Sequence, residues 1–518
     1  MTTTNARHLV LVACIGWGHL RGLCVLAASV VKARPAFHIT FFTSRMMFDK
    51  VESEISRNFE DVDGTLRNHI RVVALTEDQV NFFDLGLFDK SFAEQFDKLV
   101  DGKPAWCAIK NAEIAVGAGR VPDTVIVDLF ARDQLLHVRK ALPRAKVYGW
   151  SPCPSSGLIP LIGPFGSDTK GLHRKAVEER MKLHNESFVD AAYEIVHPGR
   201  TDRVLQAPGM PTLYDHEIAA QRLPVPDFKI AGSYHVAAAD IYHEADGIII
   251  PTIEAYDPPE SIAYLRDFFA LTSRKLFVVG PLMSAVSGTN AVKQQTSSSA
   301  KFQEIEAFMA QILESRGPRS LVYMAFGSAF WSDEPEKTWA FVDTMLEKKI
   351  PFIMSHSSPF ARVPPEMQAK VEASGLGILT PWAPQQFILN NAVTGWFVSH
   401  CGINSTMEAI MSGVPIIAWP FGAEQALNAC QSRDNLNIAY ELFEVRCGNA
   451  LKVHRTGKTH AGTVESVRAE AAEVLDLAFS ADGEKKRENI LKLKEAAEQA
   501  WAVNGKGRQQ FEDLLDSV

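Results

Sequence analysis

A histidine at position 19 sits in Gly16-Trp17-Gly18-His19-Leu20-Arg21-Gly22, directly after an apolar run at residues 9–13. Neutral imidazole is suited to take a proton from an attacking hydroxyl, because its ordinary pKa is about 6.5. Such a base works best when a carboxylate holds the other ring nitrogen, which fixes the tautomer and steadies the imidazolium. Asp128, closing Thr124-Val125-Ile126-Val127-Asp128, is the first choice. Asp123 and Asp133 are alternatives as partner, and all three carboxylates also suit helix caps.

A second group of capable residues lies in residues 382–425, WAPQQFILNNAVTGWFVSHCGINSTMEAIMSGVPIIAWPFGAEQ. Residues 395–399 read as a strand ending at His400, followed by the turn Cys401-Gly402-Ile403 and a helix opening at Asn404-Ser405. A helix start just past a parallel strand offers free N–H groups and the positive end of the helix dipole, which suits an anion. Gly402 lets the backbone come close to a ligand, and His400, Asn404 and Ser405 add donors. Trp382 is a flat plate suited to stacking a base. Glu408, one turn into the helix, can accept from a ribose diol, although Ser405-x-x-Glu408 also spells a capping box. Glu424-Gln425 offers acceptors for sugar hydroxyls. Plate, diol acceptor, anion site and hydroxyl acceptors together describe a nucleotide-diphosphate sugar.

These residues need elements to position them. Strand and helix signals alternate along the chain, with strands at residues 9–13, 38–43, 124–127 and 146–149, a glycine-rich turn at 16–22 and a helix at 23–31. A Ser/Thr/Gln/Gly-rich stretch at 284–300 reads as a linker. The pattern then restarts, with strands at 320–325, 349–354, 377–380, 395–399 and 415–418 and a charged amphipathic helix at 484–503. The expectation is an α/β protein of two Rossmann-like doubly wound domains facing across a cleft. Residues 1–283 would form the first domain and 301–483 the second. Residues 484–518 would form a terminal helix packing back on the first domain.

The bulk numbers agree. A chain of 518 residues exceeds one ordinary core, so two domains of roughly 200 residues or more are expected. The formal charge of −8, without a long basic block, argues against nucleic acid or an anionic membrane as partner. Seven scattered cysteines without a C-x-x-C pair read as free thiols of a reducing compartment. The apolar start lacks a charged leader and cleavage site, and no stretch is long and apolar enough to span a membrane. A cytoplasmic monomer is expected.

Residues 382–425 resemble the signature box of the UDP-dependent glycosyltransferases of plant and fungal secondary metabolism, from W-A-P-Q through H-C-G-x-N-S, the Glu, G-V-P and the closing acidic-Gln pair. Weaker similarity runs through Ala207-Pro208-Gly209, Ala245-Asp246-Gly247, Val279-Gly280-Pro281-Leu282 and Phe326-Gly327-Ser328. The resemblance implies a GT-B fold and metal-independent transfer of a sugar, glucose by preference, from a UDP-sugar, with no permanently bound cofactor. It implies that Trp382 stacks on uracil, with Ala383 at its edge, and that Gln385 and Glu408 hold the ribose. His400, Asn404, Ser405 and Ser328 would hold the diphosphate, Glu424 and Gln425 the sugar, and Ser151 a phosphate or the sugar. It also implies a His–Asp pair at the places of His19 and Asp128 and an inverting displacement. Two departures stand out: Ile403 where plant members carry Trp, and Gly22 where the family's G-H-x-x-P has Pro.

For the acceptor, the apolar residues Phe82, Phe83 and Phe88, with Trp106 and Trp150, are candidates, pointing to a small hydroxylated apolar compound such as a phenol, terpenoid, sterol or lipid. Three competing readings remain, one of them an epimerase or hydrolase on the same fold, for which the sequence names no acid/base groups near the second carbon of the sugar. Gly16-x-Gly18-x-x-x-Gly22 with Thr43-Ser44-Arg45 could serve an NAD(P)-dependent oxidoreductase. A non-catalytic nucleotide-sugar or lipid binder would keep the second segment without the base. Asp61-Val62-Asp63 spells the D-x-D of metal-dependent transferases, but its polar surroundings read as a surface turn, so no metal is expected.

Overall fold

The computed structural model describes residues 6–13, 16–59, 64–77, 85–115, 120–162, 173–196, 203–222, 229–283 and 300–518. The expected linker (apart from residue 300), Asp61-Val62-Asp63, Phe82 and Phe83 lie outside these residues.

Seven strands form the first sheet: β1 (Arg7–Val12), β2 (Phe37–Thr43), β3 (Ile70–Ala74), β4 (Thr124–Asp128), β5 (Lys146–Trp150), β6 (Gly247–Ile250) and β7 (Lys275–Val278). Their order is β7-β6-β5-β4-β1-β2-β3, and every pairing is parallel. Six more form the second sheet: β8 (Leu321–Ala325), β9 (Phe352–Ser355), β10 (Gly377–Thr380), β11 (Thr394–Ser399), β12 (Ile416–Ala418) and β13 (Ala439–Glu441). Their order is β10-β9-β8-β11-β12-β13, again parallel throughout. The fold is α/β with two doubly wound sheets.

Parallel strands covered by helices on both faces must be apolar at every position rather than at alternate ones. β8 shows why. Leu321, Tyr323 and Ala325 enter one core, while Val322 and Met324 enter another on the opposite face. β11 divides likewise, Phe397 to one side and Trp396 and Val398 to the other.

Strand order fixes where a ligand can sit. In each sheet the order reverses at one point, between β1 and β4 in the first and between β8 and β11 in the second. Helices leave in opposite directions there and open a crevice beyond the carboxyl ends of the strands. Helix α1 (Trp17–Ala33) follows β1, and α2 (Ile403–Ser412) follows β11. α3 (Gln425–Cys430) follows β12, and α4 (Ala481–Trp501) and α5 (Lys506–Ser517) end the chain.

Several local readings are corrected. The expected glycine-rich turn at 16–22 is helix from Trp17 onward, capped by Gly16 at φ 89°. Gly22 lies inside α1, where an added Cβ would meet the Trp150 ring at 3.0 Å, so glycine there permits close packing of helix on sheet. α2 starts at Ile403 with Gly402 as its cap, so Ser405 is the third helical residue and no Ser405–Glu408 capping box forms. The single terminal helix is two: Ile490, Leu493 and Ala497 of α4 join the second sheet's core, whereas Phe511, Leu514, Leu515 and Val518 join the first sheet's.

Candidate active site

His19 occupies the first turn of α1, and Asp128 closes β4 on the other side of the switch point. The His19 Nδ1 lies 2.7 Å from Asp128 Oδ2. The second carboxylate oxygen accepts from the Phe130 N–H at 3.0 Å, so the acid is held from two sides. Of the two alternatives, Asp123 accepts from the His8 N–H at 2.8 Å, and Asp133 lies beside Arg132 at 3.6 Å. Burial pulls the His19 imidazolium down, but the Asp128 carboxylate, the hydrogen bond to it and Glu424 outweigh burial and move the pKa upward from 6.5. With Nδ1 bound to the acid, Nε2 is left to meet a substrate.

On the second sheet, α2 presents its N-terminus just past β11. The turn into it is tight, with Cys401 in the left-handed region at φ 62°. His400 is buried, which holds its pKa at about 4, so at neutral pH it offers an N–H donor without charge. An added Cβ on Gly402 would lie 2.6 Å from His400 Nε2, so a side chain there would close the space the ring faces. Ser328, exposed in the turn after β8, stands on the other side of this switch point. The first N–H of α2, that of Ile403, donates to Glu424 Oε1 at 3.3 Å. Burial raises the Glu424 pKa, while its own N–H, that of Ile403 and His19 oppose the shift.

Trp382 follows β10 and is 53% exposed, an unusually bare indole. Its carbonyl accepts from Thr380 Oγ1 at 2.8 Å, which pins the backbone beneath the ring, and Ala383 beside it is buried. Gln385 donates to Ser405 Oγ at 3.2 Å and to Glu408 Oε2 at 2.5 Å, tying the short helix Gln385–Leu389 to α2. Gln425 is buried, and its Oε1 accepts from the Phe421 and Gly422 N–H groups at 2.9 and 3.3 Å. Its carbonyl is therefore spent on its own turn, leaving the amide NH₂.

The two halves touch at these residues. Asn404 donates to the Gly18 carbonyl at 2.7 Å, one residue before His19. Arg21 of α1 pairs with Glu408 at 2.7 Å. The N-terminus of α2 and the His19–Asp128 pair thus share one crevice.

Some expected site residues lie elsewhere. Trp150 is wholly buried and donates from Nε1 to the His19 carbonyl at 2.8 Å, so it buttresses α1 from the core instead of facing an acceptor. Phe88 is equally buried, among the first sheet's core residues with Phe92 and Phe96. Ser151 is also wholly buried, its N–H bonded to the Ile249 carbonyl at 2.9 Å, with no surface toward the cleft. Trp106 is half-buried on a short hairpin, its N–H donating to Gln95 at 2.7 Å. Gly18 and Gly22, read as a dinucleotide loop, are helical.

Other residues at the site carry no motif of their own. Phe130 lies 4.7 Å from the His19 ring, and Tyr234 lies 4.8 Å from Phe130, an aromatic row leading away from the base. Phe130 stands two residues past Asp128, a spacing that could have drawn attention to it. Arg21 lies within the segment from Gly16 to Gly22, a cation beside an anion site. Among the described residues, no group of three or more His, Cys, Asp or Glu side chains is disposed to hold a metal, and no helix is long and apolar enough to cross a membrane.

Residues 260–439 match the family model described as UDP-glucuronosyl and UDP-glucosyl transferase. Over the full length of both chains, the sequence is 30% identical to the UDP-glycosyltransferase eriJ of Hericium erinaceus. It is 31% identical to an anthocyanidin 3-O-glucosyltransferase of Gentiana triflora over 53% of this chain and 52% of that one. A transferase from Siraitia grosvenorii in complex with UDP superposes with a TM-score of 0.69 at 18% identity, covering 98% of this chain and 99% of that one. Phytolacca americana UGT2, complexed with UDP-2-fluoro-glucose and pterostilbene, gives 0.66 at 18% identity over the whole of both chains.

Proposed function

Because the chain belongs to the UDP-glycosyltransferase family, whose GT-B fold it shares and whose donor is a UDP-sugar, we propose that it transfers glucose to a hydroxyl of a small lipophilic acceptor with inversion, His19 acting as general base. The acceptor hydroxyl donates its proton to His19 Nε2 while its oxygen attacks the anomeric carbon. The bond from that carbon to the diphosphate breaks on the opposite face, and UDP leaves with the electron pair. Asp128 keeps the proton on Nδ1 beforehand and stabilises the imidazolium afterwards. One observation carries this reading: the 2.7 Å His19–Asp128 pair stands across a single crevice from the α2 N-terminus, and Asn404 bonds the residue before the base.

In this scheme Trp382 stacks on uracil, with Ala383 at the base edge, and Gln385 and Glu408 take the ribose. His400, Asn404, Ser405, Ser328 and the N–H groups of α2 beyond Ile403 meet the diphosphate, whose growing charge the helix end stabilises without a metal. Glu424 and the Gln425 NH₂ meet the sugar. Phe130 and Tyr234 give the acceptor side an aromatic wall, which favours a flat or apolar alcohol. Pterostilbene in the Phytolacca complex is a compound of that class.

The test is UDP release and product mass with a panel of UDP-sugars and phenolic or terpenoid acceptors. His19→Ala is expected to lose turnover by about 10²- to 10⁴-fold while UDP affinity stays within about twofold, since the imidazole is not a nucleotide contact in this scheme. Turnover near wild type in that variant would overturn the assignment of the base.

A further inference from the structure

Arg21 stands two residues beyond His19 on α1, and its guanidinium crosses to the second half. Its Nη1 lies 2.7 Å from Glu408 Oε1, and its Nε lies 3.5 Å from Glu54 Oε1, an oxygen that Arg57 also holds at 2.7 Å. Glu408 is 1% exposed and Glu54 6% exposed. Two cations and two carboxylates are thus gathered at the seam, where each carboxylate has a cationic partner against the cost of leaving water. The other Glu408 oxygen accepts from Gln385 at 2.5 Å. The crevice around Arg21 and Glu408 is completed by Pro251 and Leu282 from the first half and by Asn404 and Met407 from the second.

The count of acceptor sites on Glu408 decides what Arg21 can do. An ionised carboxylate has about four lone-pair sites, two on each oxygen. Arg21 stands against Oε1 as an ion pair at 2.7 Å and takes at most one site there, and Gln385 takes one on Oε2. At least one remains on each oxygen, which is the pair of acceptors that two neighbouring hydroxyls of a ribose require. A carboxylate free to rotate would present those acceptors in many directions. Clamped from both sides, it presents them in one.

We propose that Arg21 is a positioning residue for the donor nucleotide: it reaches across the cleft from the helix that carries the base and fixes Glu408 so that its remaining lone pairs face the ribose diol. This rests on the ribose role given to Glu408 above. The consequence is specific to the diol. Without Arg21, the buried carboxylate loses its cationic partner and its fixed orientation, and the benefit of the two ribose hydroxyls falls away. Contacts to base and diphosphate do not pass through Arg21 and are spared.

The experiment compares UDP with 2′,3′-dideoxy-UDP by titration calorimetry in the wild type, Arg21→Met and Arg21→Lys. Methionine keeps much of the apolar stem without the fork. The wild type is expected to bind UDP about tenfold more tightly than the dideoxy analogue, as befits hydrogen bonds to a charged acceptor. Arg21→Met is expected to bring that ratio to within about twofold by weakening UDP alone, and Arg21→Lys to give an intermediate ratio, because one ammonium cannot reproduce the guanidinium fork. In steady state, KM for the UDP-sugar rises in Arg21→Met more than kcat falls.

A wild-type ratio that survives unchanged in Arg21→Met overturns the proposal while leaving the ribose role of Glu408 standing. Equal weakening of both ligands also overturns it, since that is the mark of general structural damage. A wild type that does not distinguish the two ligands overturns the ribose role and the proposal together. If Arg21→Met does not fold, Arg21→Lys alone decides, and an unchanged ratio in it counts against Arg21.

Discussion

Replacing Trp382 with alanine isolates one part of the proposed donor site more cleanly than any other change. The indole is 53% exposed and its backbone is pinned by Thr380, so truncation removes a surface ring and leaves the core intact. A tryptophan offers on the order of 250 Å² of surface, so about 130 Å² lies bare, and a stacked base would cover one face, about 65 Å². At about 25 cal/mol per Å², that face is worth about 1.6 kcal/mol, close to a 15-fold change in dissociation constant. Burial of the base's own face carries the figure toward the upper part of the roughly 1–3 kcal/mol measured for base–aromatic stacking. The assay is calorimetric titration with UDP, and with pyrophosphate as a ligand lacking the base. Trp382→Ala should weaken UDP by about 15-fold or more, leave pyrophosphate unchanged, and shift thermal stability by about 0.5 kcal/mol or less. Unchanged UDP affinity, or equal weakening of pyrophosphate, refutes the stacking platform.

Two other outcomes test the base and the buried charges. Asp128→Asn keeps the shape but not the charge beside His19, so kcat/KM should fall by about 10²- to 10⁴-fold. The limb on which activity rises with pH should also move to lower pH, because the carboxylate that lifts the imidazole pKa is gone; a limb that stays in place refutes the pairing. Where Glu217 of the first half meets His454 and Arg455 of the second, burial holds His454 at about 4, and Glu217 is held at about 2 because its partners outweigh its burial. Both groups bind protons more readily when unfolded, so the melting temperature should fall as pH drops from about 6.5 toward 2, first through histidine and then through the carboxylate. His454→Gln should flatten the part between pH 6.5 and 4, and an unaltered slope there counts against it.

The parts of this protein that were legible in the sequence are those with local signals. A buried parallel strand announces itself by its apolar centre, and residues 377–380, built around Ile378 and Leu379, are placed to the residue. β3 and β13 are not among the expected strands because Arg71 and Glu441 interrupt their apolar pattern, whereas β6 and β7 are apolar runs of the same kind that were passed over. The helical start of α1 was hidden by Gly18 and Gly22, whose weak helix preference is overridden by packing against Trp150. Aromatic clusters gave no guide to the acceptor side. Phe88 and Trp150 are as apolar as any pocket wall, and only the sheet's layering buries them while leaving Phe130 beside the base. Arg21 and Glu408 are far apart in sequence, and no local pattern links a pair of that kind.

The environment of His19 is a balance of opposed effects, and the balance suits the proposed chemistry. Burial disfavours the imidazolium, as does the nearby positive end of α1, in whose first turn the ring sits. Acting alone, these would leave a weak base. Asp128 at 2.7 Å and the nearby Glu424 push the other way and prevail. The first carboxylate belongs to the histidine's own sheet, but the second comes from the other sheet, beside the N-terminus of α2 where a diphosphate would lie. A diphosphate seated there would add further negative charge near the base. Proton transfer from the acceptor would then become more favourable when the donor is in place, and the base would be strongest in the complex that has a sugar to transfer.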